Sequence, residues 1–330
     1  MPQRIEISYK TIVFTVLFLL SLAVIFQIRD ILFLLMLSFI AASGLRTTIE
    51  RLERLGIPRV LAILLIYVVL ISLLFLLLSV IVPVLLQQTT RLVQKLIEFF
   101  SFSFLAPYMN LSVGRIADQL TSLSGNIYRA TVGAVGILVN FFTFFVFTFY
   151  LLLERRHMRV LLRNFLGEAM KERIVRVVLA IEERLGAWVR GEVSLALIIG
   201  TLSYVGLLLL NVDFALPLAI IAGILEVVPI VGPIISAVPA VIVASLISPW
   251  LAIAVVALYF LIQQLENHLI VPLVMRKAVG IPPMVSILAI LVGTKLAGVT
   301  GAILSIPLFV CAQIIFQEFL IMKEEGKISR

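Results

Sequence analysis

Chemistry-bearing side chains are scarce in this chain of 330 residues. It has one cysteine, Cys311, and two histidines, His157 and His268. One thiol forms no intrachain disulfide and no multi-cysteine metal site. The histidines stand far apart, and His-Glu-x-x-His, phosphate-loop and Gly-x-Ser-x-Gly patterns are missing. The residues therefore point to no enzyme, no metal site and no cofactor, and any ATP drive would need a separate subunit. Charge is sparse as well: 13% of residues are charged, against about 25% in soluble domains.

What is abundant is hydrocarbon. Hydrophobic residues make up 62% of the chain and its mean hydropathy is +1.20. A soluble surface needs more polar groups than this, so the solvent for the excess is lipid. The net charge of +8 raises nucleic-acid binding first. It is rejected because the basic residues lie between apolar runs, where the positive-inside rule places them.

A spanning helix takes about 20 apolar residues. Runs at 11–26, 31–45, 60–82, 131–153, 193–210 and 251–270 qualify or nearly do. Two longer stretches, 214–247 and 285–316, are interrupted by Pro229, Gly232, Pro233 and Pro239, and by Gly293, Gly298 and Gly301. A cleaved signal is the rival reading of residues 1–43, but a second apolar run follows after only Gln27-Ile28-Arg29-Asp30. The reading is an all-α, single polytopic membrane domain over 1–330. It divides into N-terminal helices (5–82), an external amphipathic segment (83–130), a fourth span (131–153), a cytoplasmic amphipathic segment (154–192) and a transport core with broken helices (193–320).

Arg46, Arg51, Arg54 and Arg59, the nine Lys or Arg of 154–192, Arg276-Lys277 and the basic C-terminal tail all fall on one side if both broken stretches return to the side they entered. That side is the cytoplasm, with both termini in it. Ile116, Leu120, Leu123 and Ile127 repeat at helical spacing in the external segment; Ile174, Val177, Val178, Ile181, Leu185 and Trp188 do so in the internal one. Packing on neighbouring helices or on the membrane surface is the reading of both stripes, with a binding role as the alternative. The aromatic run from Phe141 to Tyr150 reads as a lipid-facing or helix-packing surface.

Three segments carry information about chemistry. Glu226-Val-Val-Pro229-Ile-Val-Gly232-Pro233 cannot run straight as a helix. Its freed backbone groups must be buried in protein or line a cavity, as in the half-helices of many secondary transporters; a re-entrant hairpin and a proline-kinked helix are the alternatives. Gln263, Glu266 and Asn267 share a helical face near the end of an apolar run. Gly293-Thr-Lys295-Leu-Ala-Gly298-Val-Thr-Gly301 looks like the tip of a second hairpin. Carboxylates in a bilayer are unfavourable, so Glu226 and Glu266 should face protein or water. Proton or cation handling, or hydrogen bonding to a polar substrate, is one reading of Glu266; an interfacial position or a pair with Lys295 is the other. Gly232-Pro-Ile-Ile-Ser-Ala-Val-Pro239 also matches Gly301-Ala-Ile-Leu-Ser-Ile-Pro307 with one residue of offset, a hint of an internal repeat.

At these residues the chain resembles the autoinducer-2 exporter family. The resemblance rests on Leu55-Gly56-Ile57-Pro58-Arg59, on Val228 to Pro233 with Pro239, on Gln264-Leu-Glu266-Asn-His268-Leu-Ile-Val-Pro272, and on Gly298 to Pro307. The chain departs from the family pattern at Glu192, where glutamine is expected, and at Pro282, where histidine is frequent. The resemblance implies about eight transmembrane helices with two re-entrant hairpins, a homopentamer and an elevator-like movement. It also implies either export of an autoinducer-2-like small polar molecule or Na+(Li+)/H+ antiport. A non-transport membrane scaffold is the remaining class. The expected substrate or ion path comprises Glu226, Pro229, Gly232, Pro233, Gln263, Glu266, Asn267, Gly293, Lys295 and Gly298. The expected partners are the lipid bilayer of a prokaryotic cytoplasmic membrane, a small polar substrate or a monovalent cation or proton, and further copies of the chain.

Overall fold

The computed structural model describes residues 9–102, 127–154, 168–229, 231–275 and 282–328. They form helices and tight turns, with no strand among the described residues. In chain order the helices are α1 (Tyr9–Gln27), α2 (Arg29–Arg54), α3 (Arg59–Phe102), α4 (Ile127–Leu153), α5 (Glu168–Leu209), α6 (Ala215–Leu225), α7 (Val231–Ile247), α8 (Pro249–Leu265), α9 (Val271–Met275) and α10 (Pro283–Ile328). Ile116, Leu120, Leu123, Arg276, Lys277 and the last two residues lie outside the described residues.

Helix ends follow local chemistry. Gly56, at φ +90°, closes α2, and Pro58 ahead of α3 prevents α2 from continuing. Ser248 caps α8 by accepting from the Trp250 N–H at 3.2 Å, with Pro249 at the first helical position. Two helices run through boundaries that hydropathy alone would draw. α3 carries Pro83 in its interior, and α5 passes without a break from the charged stretch into the apolar one.

Five helical stretches are long and apolar enough to cross a membrane: Arg29–Arg54, Arg59–Pro83, Arg173–Leu209, Pro249–Met275 and Met284–Glu318. Shorter apolar helices cover Val13–Gln27, Leu138–Leu153, Ala215–Leu225 and Val231–Ile247. Large apolar side chains point outward along them, among them Phe14, Phe26, Val68 and Phe75. Such a surface suits lipid, and the chain is a multi-pass membrane protein.

Three apolar clusters hold the helices together. One joins α2, α3 and α4 around Ile49, Ile63 and Leu152. A second joins α2, α5 and α10 around Leu185, Trp188, Leu304 and Val310. The third joins α5, α6, α7 and α8 around Leu207, Leu218, Val243 and Val255. The amphipathic stripe of 174–188 thus packs on helices: Leu185 and Trp188 are buried, and Val177 and Ile181 rest on the same cluster. The aromatic run divides. Phe142 is exposed, whereas Phe145 meets Tyr67 edge-on at 4.8 Å and its carbonyl accepts from the Tyr67 hydroxyl at 2.9 Å.

Polar ties gather at one end. Arg46 bonds Glu50 at 2.7 Å and Glu182 at 3.2 Å, joining α2 to α5. Arg59 donates from Nε to the Leu152 carbonyl at 2.9 Å and pairs with Glu53. Arg190 donates to Thr47 Oγ1 at 3.0 Å.

Small residues permit the closest helix approach, as is common between membrane helices. A Cβ on Gly223 would stand 2.6 Å from the Ala196 carbonyl oxygen, and one on Gly200 3.3 Å from that of Ala219. Gly223→Val should therefore force α5 and α6 apart. The expected cost is about 1–3 kcal/mol, read as a lower thermal midpoint of the purified protein in detergent, with Gly200→Ala losing less.

Candidate functional site

The α6–α7 connection breaks where its sequence says it must. Glu226 closes α6, its N–H bonding the Ala222 carbonyl at 3.2 Å, and a turn follows through Pro229. Pro233 falls in the first turn of α7, where a missing N–H leaves no bond unmade. Gly232 is buried directly against the Leu225 carbonyl, with no space for a side chain. The turn is thereby clamped onto the end of α6. Pro229 and Pro233 are half-buried, and Val228 rests on the α2–α5–α10 cluster.

The second interrupted stretch behaves alike. α10 leaves helical geometry at Ala297 (φ −140°) and Gly298 (φ +60°, ψ −140°), the latter a conformation that glycine adopts readily. The chain doubles back, so the backbones of Gly293 and Gly301 lie against one another. The internal match has a structural counterpart. Ser236 and Ser305 are both buried, and each donates to the carbonyl three residues back, Pro233 at 2.9 Å and Ala302 at 2.7 Å, just ahead of an in-helix proline.

Between α8 and α9 the residues Glu266–Ile270 form one turn of π-helix. Pro272 supplies the reason, since its ring would clash with the His268 carbonyl in regular α geometry. The widened turn buries Glu266 while Asn267 and His268 face outward. His268 Nδ1 donates to the Gln264 carbonyl at 2.9 Å, and half-buried Gln263 reaches Asn267 Oδ1 at 3.5 Å.

Glu226 and Glu266 come together. Their carboxyls lie within side-chain hydrogen-bonding reach, at 1% and 3% residue exposure. Gln263 also reaches Glu266. A third carboxyl joins them from α5: Glu192, 8% exposed, within electrostatic range of both and approached by the Trp188 side chain. Oε2 of each of the three finds no protein donor among the described residues. No lysine or arginine among the described residues forms an ion pair with any of them. Lys295 is exposed at the α10 break and is not paired with Glu266. Glu192 was not among the expected path residues, although its departure from the family pattern was visible in the sequence.

Gly298 lines a cleft to which none of the three carboxyls contributes. With Ala297 and Thr300 it lines a cleft of about 920 Å³, closed on the other side by Phe26, Arg29, Asp30 and Phe33. The Arg29 guanidinium lies 4.4 Å from the Phe26 ring centroid. The structure thus gathers Glu226, Gly232, Pro233, Gln263 and Glu266 in one region, and Gly293, Lys295 and Gly298 in another, with Val228 touching the cluster that joins them.

The AI-2E family transporter model matches residues 12–321. The chain belongs to that family. It is 28% identical to the candidate transport protein YueF of Bacillus subtilis, over 81% of this chain and 79% of YueF. Identity to YrrI of the same organism, likewise a candidate transport protein, is 26% over 90% and 89% of the two chains. The candidate permease PerM of Escherichia coli is 25% identical over 91% of this chain and 90% of its own.

Three buried carboxyls, none in an ion pair with a lysine or arginine among the described residues, are unfavourable to withdraw from water. Glu226→Gln keeps the shape and removes one of the buried ionisable groups. It should raise the thermal midpoint in detergent, by the equivalent of about 1 kcal/mol. A fall would instead mark Glu226 as holding an attractive structural contact.

Proposed function

We propose that this family member is a proton-coupled secondary transporter, exporting a small polar molecule of the autoinducer-2 kind. The observation that carries this reading is the meeting of Glu226 and Glu266 at a helix break and a π-turn, with Glu192 of α5 within electrostatic range. Ionisable groups placed within membrane helices mark ion and proton paths. A hydrogen bond between two carboxyls holds one proton, and that proton is the coupling charge. Loading and release of it at the 226–229 turn accompany the passage of substrate. The protein is then not an enzyme, and the proton is its one chemical partner besides the cargo.

In this reading about eight helices cross the cytoplasmic membrane of a prokaryote, and both termini face the cytoplasm. The segments 226–233 and 293–301 are re-entrant hairpins, shaped by Pro229, Gly232 and Pro233 and by Gly293 and Gly298. Gln263 and Asn267 offer amides to a hydroxyl-bearing cargo. Lys295, exposed near the cleft, meets an anionic or hydroxyl-rich one. Several copies assemble, five by the family resemblance, and an elevator-like movement alternates access.

A second reading, Na+(Li+)/H+ antiport, is favoured by one observation: Glu226 and Glu266 approach each other in the protein interior, and no lysine or arginine among the described residues forms an ion pair with either. A pH-dye assay in everted vesicles separates the readings. Under the first, autoinducer-2 added to wild type moves protons, and Glu226→Gln does not respond. Under the second, Na+ or Li+ does so without cargo. A silent wild type, confirmed in the membrane, would overturn both and leave a scaffold.

A further inference from the structure

The cleft at the α10 break takes none of its lining from the glutamate site. Its walls are mostly hydrocarbon: Leu22 and Ile25 of α1, Phe33 of α2 and Leu296 of α10. A side chain at Gly298 would meet nothing within 4 Å, so the break itself leaves the cleft open. A volume of about 920 Å³ is at the upper end of the range for small-molecule sites.

The charged side chains of the cleft stand together. Arg29 and Asp30, where α1 meets α2, both line it. The Arg29 guanidinium rests 4.4 Å from the centroid of the Phe26 ring, a contact that uses none of its N–H donors. Its Nε is 3.7 Å from Asp30 Oδ1, longer than a hydrogen bond, and the Asp30 side chain is 88% exposed. A cation with donors to offer and a carboxylate with acceptors to offer thus stand side by side against apolar walls.

Their depth follows from α2. Arg29–Arg54 is long and apolar enough to cross a membrane. Its 26 residues span about 39 Å of helix, close to the thickness of a bilayer with its headgroups. With the exposed Arg51 and Arg54 in one headgroup layer, Arg29 and Asp30 reach the other.

We propose that the cleft binds one phospholipid whose headgroup carries a primary ammonium, as phosphatidylethanolamine does. Its phosphate accepts from the Arg29 guanidinium, and its ammonium donates to Asp30. Its acyl chains lie along Leu22, Ile25, Phe33 and Leu296, and it packs against the break at Ala297 and Gly298. A lipid of net negative charge satisfies Arg29 but sets like charge beside Asp30. A trimethylammonium headgroup has no N–H to give Asp30. A small polar cargo would leave the hydrocarbon walls uncovered.

The test is native mass spectrometry of the full chain purified in detergent. Phosphatidylethanolamine, phosphatidylcholine or phosphatidylglycerol with the same acyl chains is added at equal concentration. Wild type should retain the first at about three times the occupancy of either other, the worth of one exposed charge pair. Asp30→Asn should remove that preference and still bind phospholipid, and Arg29→Gln should lower occupancy by all three. Ala23→Trp sets an indole into the cleft from an exposed position of α1 and should displace the lipid. Arg54→Gln, at the far end of α2, should change nothing. Equal retention of the three lipids by wild type, or a preference that Asp30→Asn keeps, would overturn the proposal. So would a lipid-free oligomer that Ala23→Trp takes apart, which would make the cleft a contact between copies of this chain.

Discussion

Lipid offers no hydrogen bonds, and every unusual feature of this protein answers to that constraint. A helix that stops inside the bilayer exposes N–H and C=O groups, each costing several kcal/mol if left to hydrocarbon. Breaks are therefore admitted only where protein covers them. Gly232 is pressed against the Leu225 carbonyl and the Gly293 backbone against Gly301, with no side chain between. The same rule governs charge. Glu192, Glu226 and Glu266 are all withdrawn from the lipid-facing surface, and because the breaks already lie in the protein interior, the carboxyls collect beside them.

Much of this arrangement was legible in the sequence, because breakers and charges stand out against apolar runs. Pro229, Gly232, Pro233 and Gly298 marked the interruptions, and Glu226 and Glu266 stood out as carboxylates in hydrocarbon. Their adjacency was not legible, since forty residues separate them and only tertiary packing sets that distance. Glu192 was hidden differently. Hydropathy drew a boundary beside it, assigning it to a charged segment, whereas α5 is continuous and carries it inward. Helix continuity depends on backbone propensity, which hydropathy does not measure. The π-turn at Glu266 followed in principle from Pro272, but a proline near a helix end is compatible with several local geometries.

The Ser236 and Ser305 pair shows what a weak internal match means physically. In each, a serine bonds back to a carbonyl one turn behind it, two or three residues ahead of an in-helix proline, so both lie on the turn that the proline distorts. Two segments far apart in the chain use this device after a crowded glycine. The likeness of the two stretches is one of mechanics, not just of letters.

α5 belongs to two of the three apolar clusters: Leu185 and Trp188 sit in one, and Leu207 in another. Arg190 and Glu182 tie the same helix to α2. It therefore works as a common axle. Its two clusters cannot turn independently, because one rigid rod keys both. Any rotation that re-aims Glu192 must also shear the contacts of Trp188 with α10, so an event at the carboxyls is felt at the charged end of the molecule as torque.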